Sequence, residues 1–554
     1  MRLTRIATAA LAVILTPVAG PALAAPPADS VILGGPIYTA DDAAPTAEAV
    51  AISGGRIVYV GSRAGVSAFT GPATQTLDLK GAALFPGFTD SHAHLNGVGQ
   101  RELTLNLEGS SSAAEVAQKL KAWMVRAKPG EVIVGRGWIE TGWPEKRFLT
   151  AADLDAVAPN NPVLMRRADG HALVANTAAL KRAGIDATTK APFGGAILKD
   201  DQGHLTGMLV DNAMSLVAGL VPADSEDFRV KALKAGMDVE IAYGWTGVHF
   251  MSAPWKDVLA LEALDARGEA PLRVYSAVDR ADAEKLFASG PRSTPDGRIV
   301  TRTLKLYADG ALGSRGAALF EPYADQPDST GLMRLTPEDT RPVLAQAAKS
   351  GIQVAVHAIG DRGNATILGL YEEALPGAGA DPRWRIEHAQ HIRPADIPRF
   401  AADGVIASVQ PSHAIGDLHF APARLGLARL QGAYAWHSLL ASGARVVGGS
   451  DAPVERGDPM IEFYAAVARK DLKGQSGPGW HPEEALSRQD ALRLFTINSA
   501  YARFAEKDLG SITVGKRADL SAFDIDLMTV PEAAILKGHA VLTMVDGKVV
   551  YRRP

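Results

Sequence analysis

The chain reads as an α/β protein: a TIM-like (β/α)8 barrel joined to a small β-sandwich built from both termini, with a large insertion after the first barrel strand. Three observations predict it. Short apolar runs alternate with helical patterns through the middle of the chain, strand-and-turn texture occupies both ends, and one connection is far too long for a barrel loop. With 554 residues the chain exceeds one ordinary small domain and suits an enlarged barrel with a satellite.

The N-terminal strands are expected at 31–38, 49–52, 56–61 and 76–79, where apolar residues alternate between glycine-bearing turns. The C-terminus repeats the texture at 518–523, 540–545 and 548–551, the last two joined by the hairpin turn Asp546-Gly547. Neither piece can bury a core alone, so residues 28–83 and 508–554 are expected to form one composite sandwich around a barrel at 84–507. Eight apolar runs supply the barrel strands: 84–92, 247–251, 272–278, 303–307, 352–358, 384–388, 405–410 and 445–450. The gap between the first two, roughly 150 residues, should form a subdomain over the barrel mouth at about 100–240. Its Trp138 and Trp143 read as core of that subdomain in preference to pocket lining.

Hydrophobic residues make up 47% of the chain and charged residues 21%, so a large core is expected and widespread disorder is not. The net charge is −4 with basic residues scattered, which predicts a small-molecule substrate and no nucleic-acid partner. Residues 1–24 have a signal-peptide pattern: Arg2 and Arg5, a short apolar stretch, then Ala22-Leu23-Ala24 before Ala25. Export to the periplasm or medium is expected, with no membrane span in the mature chain. Self-association into a homo-oligomer stays open. With no cysteine, disulfides and thiolate metal sites are excluded, and any cation must be held by nitrogen and oxygen donors.

The chemistry is expected at strand ends. His92 and His94 are two residues apart, so in a strand their rings share a face, and Asp90 shares it too. His357, His388 and Asp451 each end a later run, where a barrel gathers its reacting groups. Asp451 also suits a turn cap in Ser450-Asp451-Ala452-Pro453. A carboxylate placed there is also a candidate general base. Lys305 lies between Leu304 and Leu306, and a buried lysine must be ion-paired, deprotonated or chemically altered. Arg315, in a glycine-rich loop after the fourth run, is either a clamp for a carbonyl or carboxylate or a solvated loop residue.

These segments resemble the amidohydrolase superfamily, and within it the YtcJ-like branch that includes N-substituted formamide deformylases. The motifs are PGFTDSHAHL at 86–95, KLYADGALGSRGA at 305–317, VHAIGD at 356–361, EHAQ at 387–390 and GSDAPV at 449–454, with NSAYA at 498–502 and GSITVGKRADLSAFD at 510–524. The resemblance covers essentially the whole chain after the leader. It implies a metal-dependent hydrolase barrel with one or two divalent ions, usually Zn2+. His92, His94 and Asp451 would hold one ion and His357 and His388 the other, bridged by a CO2-derived carbamate on Lys305. His171, after Gly170 in the insertion, would stabilise an oxyanion or else be a surface histidine. The implied activity is hydrolysis of a non-peptide C–N bond, an amide or formamide, of a small molecule. Cyclic-amide opening, deamination, or a secreted regulatory protein on an inactive scaffold are the alternatives, and retention of every ligand speaks against the last.

Overall fold

The computed structural model describes residues 26–554 except 141, 169, 171, 193–194, 222–224, 376–380 and 478–479. The leader read in 1–24 and His171 therefore lie outside the described residues.

Eight parallel strands form the barrel: β1 (Phe88–Ala93), β2 (Trp245–Ala253), β3 (Arg273–Asp279), β4 (Ile299–Tyr307), β5 (Gln353–Ala358), β6 (Arg385–His388), β7 (Ile406–Val409) and β8 (Val446–Gly448). Each pairs with the next in chain order, from Phe88 beside Trp245 to Val409 beside Gly448. The strands are buried nearly throughout because helices such as Pro337–Lys349 and Asp361–Ala374 cover them outside while side chains fill the interior.

No ladder joins β8 to β1. The seam is closed instead by individual bonds: Asp451 N–H donates to His92 O at 2.6 Å and His94 N–H to Ala452 O at 2.7 Å. Asp90 completes the stitch, one carboxylate oxygen accepting from the N–H groups of His92 and Ser450 and the other from the Ser450 hydroxyl at 2.5 Å. Gly449 makes this approach feasible, since a Cβ there would sit 2.3 Å from His92 N.

The run 84–92, read as one strand, is two. Ala83–Pro86 pairs with Leu520–Phe523 and with Ser30–Tyr38 in the small sheet, and the chain crosses to the barrel at Gly87. There Gly87 N–H donates to Asp519 O and Phe88 N–H to the Ser521 hydroxyl. The small sheet draws strands from both ends of the chain. Its core joins Ile32, Val50 and Ile57 to Leu520, Leu542 and Met544, so strands from both ends of the chain share one apolar core.

Between β1 and β2 a six-stranded sheet, from Leu105–Asn106 to Leu205–Asp211, carries its own apolar cores. Trp138 and Trp143 belong to one of them, their indole N–H groups donating to Met165 O and Ser110 O. The insertion leaves the barrel by helix Leu95–Leu103 and returns by helix Glu226–Tyr243, which cross closely at Gly99 and Gly236. Among the described residues no helix is long and apolar enough to cross a membrane.

Candidate metal centre

His92 ends β1 as a buried side chain and His94 follows it, held by the seam. Each ring has one nitrogen committed outward. His92 Nδ1 lies 2.6 Å from a Glu387 carboxylate oxygen, and His94 Nδ1 lies 3.2 Å from Met251 O. Those partners fix the tautomer with the proton on Nδ1, so both Nε2 lone pairs face inward, as a cation requires. They meet at Asp451 Oδ1, 3.5 Å from His92 Nε2 and 3.1 Å from His94 Nε2. Donors that share one cation at about 2.0–2.2 Å stand about 3–4 Å apart, so these three fit a divalent ion.

The other expected ligands converge on the same place. The His388 ring centroid is 4.9 Å from that of His92 and 4.4 Å from that of His357. His357 Nε2 faces Gly310 O at 3.4 Å, leaving Nδ1 as its remaining donor. Lys305 is buried within β4 and makes no hydrogen bond or ion pair to any described residue; the Tyr307 ring lies 5.2 Å from its ammonium. Among the described residues two compact donor groups result, His92–His94–Asp451 and His388–His413–Asp451, and both use Asp451.

The protonation states suit ligation. Burial, reinforced by the Lys305 charge, pushes His92 down to about 4 and His357 down to about 3, and burial with neighbouring imidazoles also holds His388 well below its usual value. All three are therefore neutral at pH 7. Burial also lowers Lys305 to about 8, against the pull of Glu387 and Asp451. Burial opposes the charge on Asp451, yet the surrounding imidazoles of His92, His94 and His413 together hold its carboxyl below the usual carboxylate range.

Sequence reasoning did not single out several residues that build this centre. Glu387 lies inside EHAQ, one residue before a ligand. It accepts from His92 and is clamped by Arg385, itself fully buried and bonded to His249 Nδ1, Ser91 O and the Ser408 hydroxyl. A charge in the middle of a barrel strand was the available signal. His413 lies past the end of β7, in the helix Pro411–Asp417, where a search of strand ends does not reach. Asp90 does not face the donor groups; it is spent on the seam, and burial raises it to about 7 despite its bonds to Ser450 and His92. Arg315 is engaged by Asp325 through two hydrogen bonds, 3.1 and 2.9 Å, and Asp325 also takes Arg424. Any clamping of substrate by Arg315 would compete with that pair.

Comparison with known proteins agrees with this geometry. The family model described as "Amidohydrolase family" matches residues 75–551. YtcJ of Bacillus subtilis (strain 168) is 35% identical over 94% of this chain and 99% of its own. The N-substituted formamide deformylase of Arthrobacter pascens is 29% identical over 95% of this chain and 98% of its own. The crystal structure of an uncharacterized metal-dependent hydrolase from Pyrococcus horikoshii superposes with a TM-score of 0.75 at 28% identity, covering 91% of this chain and 99% of that one. A barrel stitched at β1 and β8 around inward-facing imidazoles, and a family match running from the small sheet through the barrel and back, place this chain in the amidohydrolase family, within the metal-dependent amidohydrolase superfamily.

Proposed function

We propose that the protein hydrolyses a non-peptide C–N bond, an amide or formamide, of a small molecule. The observation that carries this is the convergence of the His92 and His94 Nε2 atoms on one oxygen of a charged Asp451, with their outer nitrogens already engaged. Similarity to a formamide deformylase over nearly the full length of both chains supports the choice of bond. The donors are imidazole nitrogen and carboxylate oxygen, a set that accommodates Zn2+, the ion proposed here. A divalent ion bound there lowers the pKa of water towards about 7 and polarises a carbonyl oxygen.

The chain's own groups supply the rest. Asp451 accepts a proton from the attacking water and delivers it to the departing nitrogen, so that amide and water become acid and amine. Glu387 holds His92 in one tautomer, and Arg385 keeps Glu387 charged: burial opposes that charge, while Arg385 and His92 hold the carboxyl below its usual range. Lys305, buried with no hydrogen bond or ion pair to any described residue, carries a carbamate made from CO2 in this proposal, which would answer the cost of burying its charge. The leader sequence in 1–24 supports export to the periplasm or medium.

The test is turnover of N-formyl, N-acyl and cyclic amides by purified protein loaded with Zn2+, with and without bicarbonate, beside His92→Ala. Release of amine by the wild type alone is expected. Equal release by the variant would overturn the proposal, and ammonia release from an amino-heterocycle without amide cleavage would replace it with deamination.

A further inference from the structure

The carboxylate of Asp451 divides its oxygens between two sets of imidazoles. Oδ1 faces His94 and His92, while Oδ2 lies 3.6 Å from His413 Nε2. His413 is the third residue of the helix that follows β7, and its ring is parallel to that of His388, the planes 10° apart and the centroids 5.7 Å apart. His413 Nε2 and His388 Nδ1 are buried and neither finds a hydrogen-bond partner among the described residues. Such atoms are costly to bury unless something occupies their lone pairs. The nearest other acid is Glu455, at 3.9 Å from His413 Nε2, too far for a hydrogen bond. Donor atoms of His388, His413 and Asp451 all lie within 4.8 Å of one another, and the 3.6 Å separation matches two ligands of one cation.

We infer that His413 is a metal ligand: with His388 and the second oxygen of Asp451 it forms a nest for a divalent cation, so that Asp451 bridges this nest and the one built by His92 and His94. The inference rests on the reading of the protein as a metal-dependent hydrolase. It gives β7 a place in the centre that the strand-end residues leave empty, and makes the last aspartate a bridge between the two nests.

The experiment strips wild type, His413→Ala and His413→Gln with chelator and reloads them with Co2+. Cation equivalents, affinity, the visible spectrum and the imidazole count by X-ray absorption are then measured, and circular dichroism reports on folding. Both variants are expected to lose affinity for one cation by more than the roughly 10- to 100-fold that removal of an outer partner costs. The mean imidazole count should fall and the cobalt bands should shift. Folded variants with unchanged affinity, imidazole count and spectrum would overturn the inference and leave the hydrolase reading standing. A wild type that binds no divalent cation would overturn both. His413→Gln, which keeps a polar side chain of similar reach, guards against a loss due only to misfolding of the alanine variant.

Discussion

At Asp451 the backbone has φ of +60°, a left-handed conformation that costs a non-glycine residue about 1–2 kcal/mol. His388 shares that region at +72°. Both are held there by their surroundings: Asp451 N–H is fixed to His92 O, and Asp451 O accepts from Val454 N–H at 2.8 Å. Strain concentrated on two donors of one centre is what a preorganised site shows. Removing the charge while keeping the shape, Asp451→Asn, is expected to lower kcat by about 10²–10⁴-fold, because an amide cannot carry the proton to the leaving nitrogen. Steady-state kinetics at matched metal loading would measure it. Glu387→Gln acts one bond further out. Its oxygen can still meet His92 Nδ1, but without the charge, and metal affinity should fall about 10- to 100-fold by chelator competition. An unchanged affinity would show that Glu387 serves Arg385 alone. His92, His94, His357, His388 and Asp451 could be nominated from the sequence because each lies at, or within three residues of, the end of an apolar run that forms a barrel strand. Glu387, Asp90 and His413 were not, since their roles depend on which neighbour they meet, and Asp90 shares the sequence parity of His92 while serving the seam.

The element on which the centre depends is the junction of β8 with β1. A barrel normally closes by a ladder; here a carboxylate and a few backbone bonds do the closing, and they also fix the relative positions of His92, His94 and Asp451. Gly449 stands at the tightest point, where an added Cβ would lie 2.3 Å from His92 N and 2.9 Å from an Asp90 oxygen. Gly449→Ala must therefore part the two strands. A destabilisation of about 1–3 kcal/mol is expected, as for overpacking elsewhere. Metal retention should fall with it, because the parted strands carry ligands of the same cation. Thermal unfolding and metal content would test the pair of effects, and a stable variant that loses no metal would show the seam to be dispensable. The barrel strands themselves were readable as apolar runs. What could not be read was that residues 83–86 leave the barrel for the small sheet, since a fully buried run has no polar face to show which sheet it joins.

At the scale of the molecule, the two termini are brought together against the barrel end opposite the site, partly by aromatic packing of Phe88 with Phe85 and Phe523, and partly by charge. Arg273, buried at the start of β3, reaches Asp519 at 2.5 and 3.0 Å and also bonds Asp546 in the C-terminal hairpin turn. Asp546 further accepts from Arg298 at 2.9 Å and from Arg517 at 2.7 Å. Burial works against the charge on Asp546, but Arg273 and Arg517 outweigh it and hold the carboxyl below its usual range. A carboxylate more acidic in the folded chain than in the unfolded one stabilises the fold above its unfolded pKa, near 3.9 for aspartate, and that contribution is lost as the pH drops through the folded value. Wild-type stability is therefore expected to fall on the acid side below about pH 4. Asp546→Asn should cost about 1.5–3 kcal/mol at neutral pH, the value of a hydrogen bond to a charged group. The gap between variant and wild type should narrow as the pH is lowered, because protonation removes from the wild type the charge that the variant already lacks. Unfolding midpoints at a series of pH values would decide it: a gap that stays constant into acid would mean that Asp546 holds the hairpin by shape, and that charge does not fasten the termini to the barrel.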